Sequence, residues 1–218
     1  MPVMTIQQIQ GLWNGNDENL WRSLENEGYM DQVGQDRTIL EDRINNLNKS
    51  EVLGGTPDVF YKFLREYFEW KYTQANLRAT TLRRLENMNS TEKRIVLGCF
   101  RALDEVLSDE TESYNYIRDS LTIAMMIPGL GVAGASGLLS VLFPDKFGTV
   151  DQFVVNNLKE IGVDTQVVHP ENLSVDDAIR LERIMIDKAR ELNSVFTQKD
   201  WTPRKIDKVL WCIRVEKH

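Results

Sequence analysis

The segment Ile127-Pro-Gly-Leu-Gly-Val-Ala-Gly-Ala-Ser136 constrains this chain more than any other. Gly129 and Gly131, one residue apart, demand a backbone turn too tight for side chains. Small residues (Ala133, Gly134, Ala135 and Ser136) then open a helix whose first amide N–H groups have no partner inside it. Such a helix start attracts anions, and phosphate is the usual biological one. Ahead of the turn, Ile117, Leu121, Ala124 and Met125 fall at steps of three and four between Tyr114 and Met126, a helical period. The segment therefore parses as helix, glycine turn, helix.

A competing parse exists. Gly129-Leu-Gly131-Val-Ala-Gly134 satisfies G-x-G-x-x-G, the dinucleotide fingerprint, but that motif counts only between a strand and a helix of a βαβ unit. The preceding residues have helical spacing, Pro128 stands directly before the first glycine, and no alternation of strands and helices follows. The helical parse is preferred.

The same period runs through most of the chain and predicts an all-α fold. The stretch to about Gly55 is polar and acidic, with weakly amphipathic pieces around 6–24 and 40–47. Thr56-Pro57 reads as a helix cap followed by proline at the first helical position. It leads into the stripe Val59, Phe60, Phe63, Leu64, Tyr67 and Phe68, which ends near Trp70. Ser90-Thr91 precedes a helix with Ile95, Val96, Cys99, Phe100, Leu103 and Val106 expected on one face. A helix is expected from Asp151 to about Ile161. Ser174 with Asp177 resembles a capping box before Ala178, Leu181, Met185, Ala189, Leu192 and Phe196. Thr202-Pro203 repeats the cap-plus-proline device before Ile206, Val209, Leu210 and Ile213. No repeat, low-complexity tract or long linker interrupts the 218 residues, which reads as one helical unit.

Composition narrows the function. No apolar run reaches bilayer length, and Met1-Pro-Val-Met-Thr5 lacks a signal peptide's basic and apolar regions. No membrane partner and a cytoplasmic location are expected. Cys99 and Cys212 are far apart and suggest no disulfide framework, and with His169 and His218 they suggest no zinc site from side chains. A net charge of −7 argues against a nucleic-acid partner. Its distribution softens that argument, because residues 60–101 hold nine Lys or Arg against four Glu, a net of about +5. That basic stretch can form one cationic surface or simply be solvated helix.

Ile127-Pro-Gly-Leu-Gly131, the small-residue helix behind it, and Thr149-Val-Asp151 before another apolar helix resemble the helix-hairpin-helix DNA glycosylase superfamily. The resemblance covers about 117–158 and extends to the flanking helices only in kind. It implies a helix-hairpin-helix DNA glycosylase-like fold of two helical lobes, with the hairpin and Asp151 lining the cleft between them. It implies that the amides of Gly129, Leu130, Gly131, Val132 and Ala133 grip a DNA phosphate, with a monovalent cation on the hairpin carbonyls. Asp151 then corresponds to the catalytic carboxylate. Two departures follow. Ala133 stands where bifunctional members carry a nucleophilic lysine, so Schiff-base lyase chemistry is absent by that route. Two cysteines exclude the four-cysteine iron–sulfur cluster of other members. The resemblance thus implies a monofunctional enzyme without a cofactor, acting on a base flipped out of DNA.

Each candidate residue also has a plain structural role open to it. Asp151 opens a helix, so it can serve as an N-cap, as a catalytic group, or as both. Trp70 and Tyr72, with Tyr67 and Gln74 nearby, are candidates for a base pocket or for core packing. Gln152 can reach a phosphate or the pocket, or remain an exposed first-turn amide. Arg83 and Arg84 are phosphate contacts or ordinary surface cations. Trp201 and Trp211 are expected to pin the last helix. Three functions stay open: a DNA N-glycosylase, a non-catalytic nucleic-acid-binding hairpin protein, and a protein-interaction module on the same fold.

Overall fold

The computed structural model describes residues 6–15, 17–33, 37–109 and 114–213; residues 1–5 and His218, named above, lie outside them. The chain forms α1 (Ile6–Asn14), α2 (Glu18–Ser23), a π-helical turn (Leu24–Gly28), α3 (Tyr29–Gln32), α4 (Thr38–Asn45) and α5 (Lys49–Gly54). There follow α6 (Pro57–Lys71), α7 (Ala75–Glu86), α8 (Ser90–Asp109), α9 (Tyr116–Ala124) and α10 (Val132–Leu142). The last three are α11 (Gln152–Ile161), α12 (Val175–Val195) and α13 (Pro203–Cys212). No strand occurs among the described residues, so the fold is all-α and the dinucleotide motif lacks the strand it requires. No helix among them is long and apolar enough to cross a membrane.

These helices divide into two units. One combines Met1–Gly34 with Phe143–His218, and the other is the intervening Gln35–Leu142. The first is centred on α13, which packs on α11, α12, α3 and the π-helical turn. Trp201 seals this unit with its ring edge-on to Trp21, centroids 5.5 Å apart, and Trp211 lies 5.4 Å from Tyr29. The second is centred on α6, against which α4, α5, α7, α8 and α10 pack, with α9 joining α8 to α10.

Caps fix several helix starts where the sequence places them. Thr56 accepts from the Val59 amide and Thr202 from the Lys205 amide, each ahead of a proline. Ser174 and Asp177 close a reciprocal capping box, and the Ser174 hydroxyl bond holds the Asp177 carboxyl below its usual pKa.

Three local expectations change. Gln74, grouped above with Tyr67 and Trp70, is not on their helix: α6 ends at Lys71, near Trp70 as expected, and Gln74 precedes α7. The break occurs where Tyr72 turns extended and its hydroxyl is drawn to the Gly129 carbonyl. The cap of α8 is Asn89, whose side chain accepts from the Thr91 and Glu92 amides while Glu92 accepts from the Asn89 amide. The buried face of α8 is Val96, Leu97, Phe100, Leu103 and Leu107, leaving Ile95 50% and Val106 53% exposed. Because α8 meets α5, α6 and α9 together, its buried arc is turned away from the position that periodicity alone suggests.

Candidate nucleic-acid interface

The hairpin is built by the residues 127–130 themselves. The Leu130 amide donates to the Ile127 carbonyl at 3.2 Å across a four-residue turn. Pro128 supplies a fixed φ, and Gly129 has φ +98°, the arrangement of a type II turn. Ile127 and Leu130 are buried and anchor the two ends of the turn. A side chain at Gly129 would have its Cβ 3.1 Å from a Phe68 ring carbon and from the Thr81 carbonyl. The fold itself therefore requires glycine there.

Behind the turn, α10 is buried all round from Gly134 to Leu142. A helix of this kind belongs to the core, which makes it a rigid mount for its exposed end. Its close approach to α6 depends on two glycines. A Cβ at Gly134 would lie 2.6 Å from the Tyr72 hydroxyl oxygen, and one at Gly137 would lie 2.6 Å from that of Tyr67. The Tyr67 hydroxyl donates to the Gly134 carbonyl at 2.6 Å, and Tyr67 is fully buried, so it is core and not pocket.

Gly131 is different. It is exposed, its φ is unremarkable, and nothing lies within 4 Å of where a Cβ would stand. Its carbonyl accepts the first helical bond, from the Ala135 amide at 2.8 Å, so it occupies the capping position of α10. A glycine there has no side chain to offer the first-turn amides. Val132 and Ala133 follow at intermediate exposure.

Of the pocket candidates in this unit, Tyr72 lies at the hairpin. Its hydroxyl reaches the Gly129 carbonyl at 3.3 Å, and burial pushes its pKa up to about 12. Trp70 is half-buried, donates from its indole nitrogen to the Glu41 carboxylate, and rests its ring 5.7 Å from that of Tyr67.

The basic stretch is partly committed. Arg101 caps the end of α5 by donating to the Leu53 and Gly55 carbonyls, each at 2.6 Å. Lys93 sits 3.7 Å over the Tyr61 ring, and Arg65 pairs with Glu86 at 3.5 Å. Arg83 and Arg84 are exposed in the last turn of α7, the helix whose Thr81 lies against the hairpin.

Asp151 belongs to the other unit. The segment ahead of it, Phe147 to Val150, is buried throughout. The Gly148 amide donates to Glu182 Oε2 at 2.9 Å, and a Cβ at Gly148 would stand 2.6 Å from Met185 Sδ and 2.9 Å from the Pro203 carbonyl. The chain then emerges at Asp151, which is half-buried and extended. Asp151 Oδ1 accepts from the Phe153 amide at 2.9 Å and the Val154 amide at 3.1 Å, so Asp151 is the N-cap of α11. Gln152 and Phe153 are exposed beside it, Phe153 by 49%. The far side of α11 is fastened by Asn157, which donates to the Leu210 carbonyl at 2.6 Å.

Sequence reasoning missed Glu182. It is fully buried in α12, and its pKa is raised well above the ordinary value by burial and, to a lesser degree, by Asp207. Its position four residues after Ala178 and three before Met185 puts a charge-bearing residue inside an apolar stripe, and that was the available signal. Among the described residues no group of three or more His, Cys, Asp or Glu is placed to hold a metal ion. Compared with known protein families, curated proteins and solved structures, the chain matches none of them.

Proposed function

We propose that the protein is a monofunctional DNA N-glycosylase-like enzyme that holds the phosphate backbone at its glycine hairpin. The observation that carries the reading is Gly131. The fold explains Gly129, Gly134, Gly137 and Gly148 by close contacts, yet leaves Gly131 exposed and facing open space, as it does Gly11, Gly54 and Gly98; of these, Gly131 is the one that stands directly ahead of a helix. Glycine there is of use to a group that approaches the backbone from outside, and the amides beside it suit a phosphate. Arg83 and Arg84, on the helix packed at the hairpin, add positive charge for a polyanion.

Asp151 supplies the chemistry in this reading. The C1′–N bond of a flipped nucleotide breaks, its electron pair leaves with the base, and the sugar develops oxocarbenium character. A carboxylate beside the sugar stabilises that charge and accepts the proton of the water that adds to C1′. Asp151 is held for such a role by the cap it forms and by the buried 147–150 segment behind it. Trp70 and Tyr72 are proposed base contacts on the unit that carries the hairpin, and Gln152 is one proposed beside Asp151 on the other. A monovalent cation, where bound, would sit on the hairpin carbonyls; those of Gly129 and Ile127 each accept one hydrogen bond and keep a second lone pair for it.

The test is incubation with duplexes carrying uracil, alkylated or oxidised bases, followed by alkaline cleavage of abasic sites. Lesion-dependent strand cleavage that is lost in Asp151→Asn supports the enzyme. A second reading, a nucleic-acid-binding protein without chemistry, is favoured by the two backbone amides that Asp151 already serves. Salt-sensitive duplex binding with no base release on any lesion would select it. Absence of binding at low salt would remove both.

A further inference from the structure

Glu182 is a costly residue to bury. Its side chain is inaccessible to solvent, Oε2 takes one amide bond, and Oε1 has no hydrogen-bond partner among the described residues. A carboxyl sealed off with half its acceptor capacity unused is an unfavourable way to fill space, and leucine would fill it without that penalty. What it does engage is specific. The Gly148 amide has no turn of helix around it and is hemmed in by Met185 of α12 and the Pro203 carbonyl at the start of α13. Without an acceptor, that N–H would be buried and unsatisfied. Three residues further on, the chain delivers Asp151.

We propose that Glu182 is the positioning residue for Asp151, its Oε2 fastening the Gly148 amide so that the buried 147–150 segment presents the next carboxylate at a fixed place at the head of α11. The assignment rests on the glycosylase reading for what Asp151 does, and on the Gly148 bond for how it is held. The contact needs a carbonyl-type oxygen and no charge. Burial and the neighbouring Asp207 both favour the protonated carboxyl, which still offers that oxygen. Acting through the backbone, Glu182 should govern where Asp151 stands without touching DNA.

The experiment uses the full chain, labelled with nitrogen-15, as wild type, Glu182→Gln and Glu182→Leu. Glutamine keeps an acceptor oxygen for Gly148, and leucine keeps the volume without it. Amide exchange at Gly148 should be slow in wild type and Glu182→Gln and on the order of tenfold faster in Glu182→Leu, as expected for loss of one buried hydrogen bond. The Phe153 and Val154 amide resonances, which report on Asp151 Oδ1, should move in Glu182→Leu alone. Base release should fall in that variant with duplex affinity unchanged, and Glu182→Gln should restore it. Should Glu182→Leu not fold, Glu182→Met takes its place with the same readouts. Rapid exchange at Gly148 in wild type, unmoved Phe153 and Val154 resonances in the leucine variant, or a glutamine variant as impaired as leucine would each overturn the proposal. If wild type releases no base from any lesion, the glycosylase reading fails, and the amide measurements still decide whether Glu182 sets Asp151.

Discussion

The Tyr72 hydroxyl donates to the Gly129 carbonyl at 3.3 Å, joining the residue that ends α6 to the sharpest point of the hairpin. One interaction thus ties the end of a helix to a loop. Tyr72→Phe keeps the ring, which packs edge-on to Phe68 at 5.5 Å, and removes only the bond. It should cost about 1 kcal/mol in urea unfolding. In an alkaline absorbance titration of the wild type, the Tyr72 phenol should ionise only at about pH 12, and the amplitude of that late step should fall by one phenol in the variant.

The two hairpin glycines should respond in opposite ways. Gly129→Ala forces a left-handed residue and crowds Phe68 and Thr81, so a loss of about 2 kcal/mol or more is expected in thermal or urea unfolding. Gly131→Ala meets nothing within 4 Å at an ordinary φ, and stability should change by less than about 0.5 kcal/mol. Gly131→Leu should also fold, yet bind duplex roughly tenfold more weakly in fluorescence anisotropy at low salt, one lost phosphate contact being worth about that much. Unaltered affinity in Gly131→Leu would separate the hairpin from nucleic acid.

Local chemistry was legible in the sequence wherever one residue decides the outcome. Thr56-Pro57, Ser174 with Asp177, and Thr202-Pro203 each mark a helix start that the structure shows. Ile127-Pro-Gly-Leu also announces its turn, because proline and glycine fix two of its dihedral angles. Features set by several neighbours at once were not legible. The end of α6 near Trp70 was legible, but the bond that ties Tyr72 just beyond it to Gly129, 57 positions away, was not. The buried arc of α8 depends on three partner helices. Glu182 betrays itself in the sequence only as a charged residue inside the apolar stripe of its helix; what it bonds to, Gly148 34 positions away, was not legible.

Capping and chemistry at Asp151 can be taken apart by the choice of substitution. Asparagine is as good an N-cap as aspartate, so Asp151→Asn should retain stability within about 0.5 kcal/mol, while Asp151→Ala frees the Phe153 and Val154 amides and should cost about 1 kcal/mol. If the carboxylate is also the catalytic group, base release should fall by about 10²-fold or more in both variants. A single-turnover assay on a cleavable lesion compares them directly. Activity that tracked stability, normal in asparagine and reduced in alanine, would confine Asp151 to the cap.

Stability should be limited from both ends of the pH scale by two carboxyls in the same unit. Asp200 accepts bonds from Arg22 and Lys205, which bring its pKa down from 3.8 to about 2. A group lowered in this way stabilises the fold above pH 3.8, and the contribution is lost as pH falls towards 2. Asp200 is 52% exposed and screened by solvent, so the loss should not exceed about 1 kcal/mol. Glu182 works in the opposite direction. Its folded pKa lies well above the ordinary 4.5, so the folded state holds the proton more tightly than the unfolded chain does. Its contribution is complete below pH 4.5 and is lost as pH rises through the raised value. Urea midpoints measured from pH 2 to pH 9 should therefore peak in the mildly acidic range. Asp200→Asn should flatten the acid limb alone, and Glu182→Gln, which cannot ionise, should flatten the limb above pH 4.5. A Glu182→Gln profile that still declines above that pH by as much as wild type would show that the proton on Glu182 is not what limits the fold there.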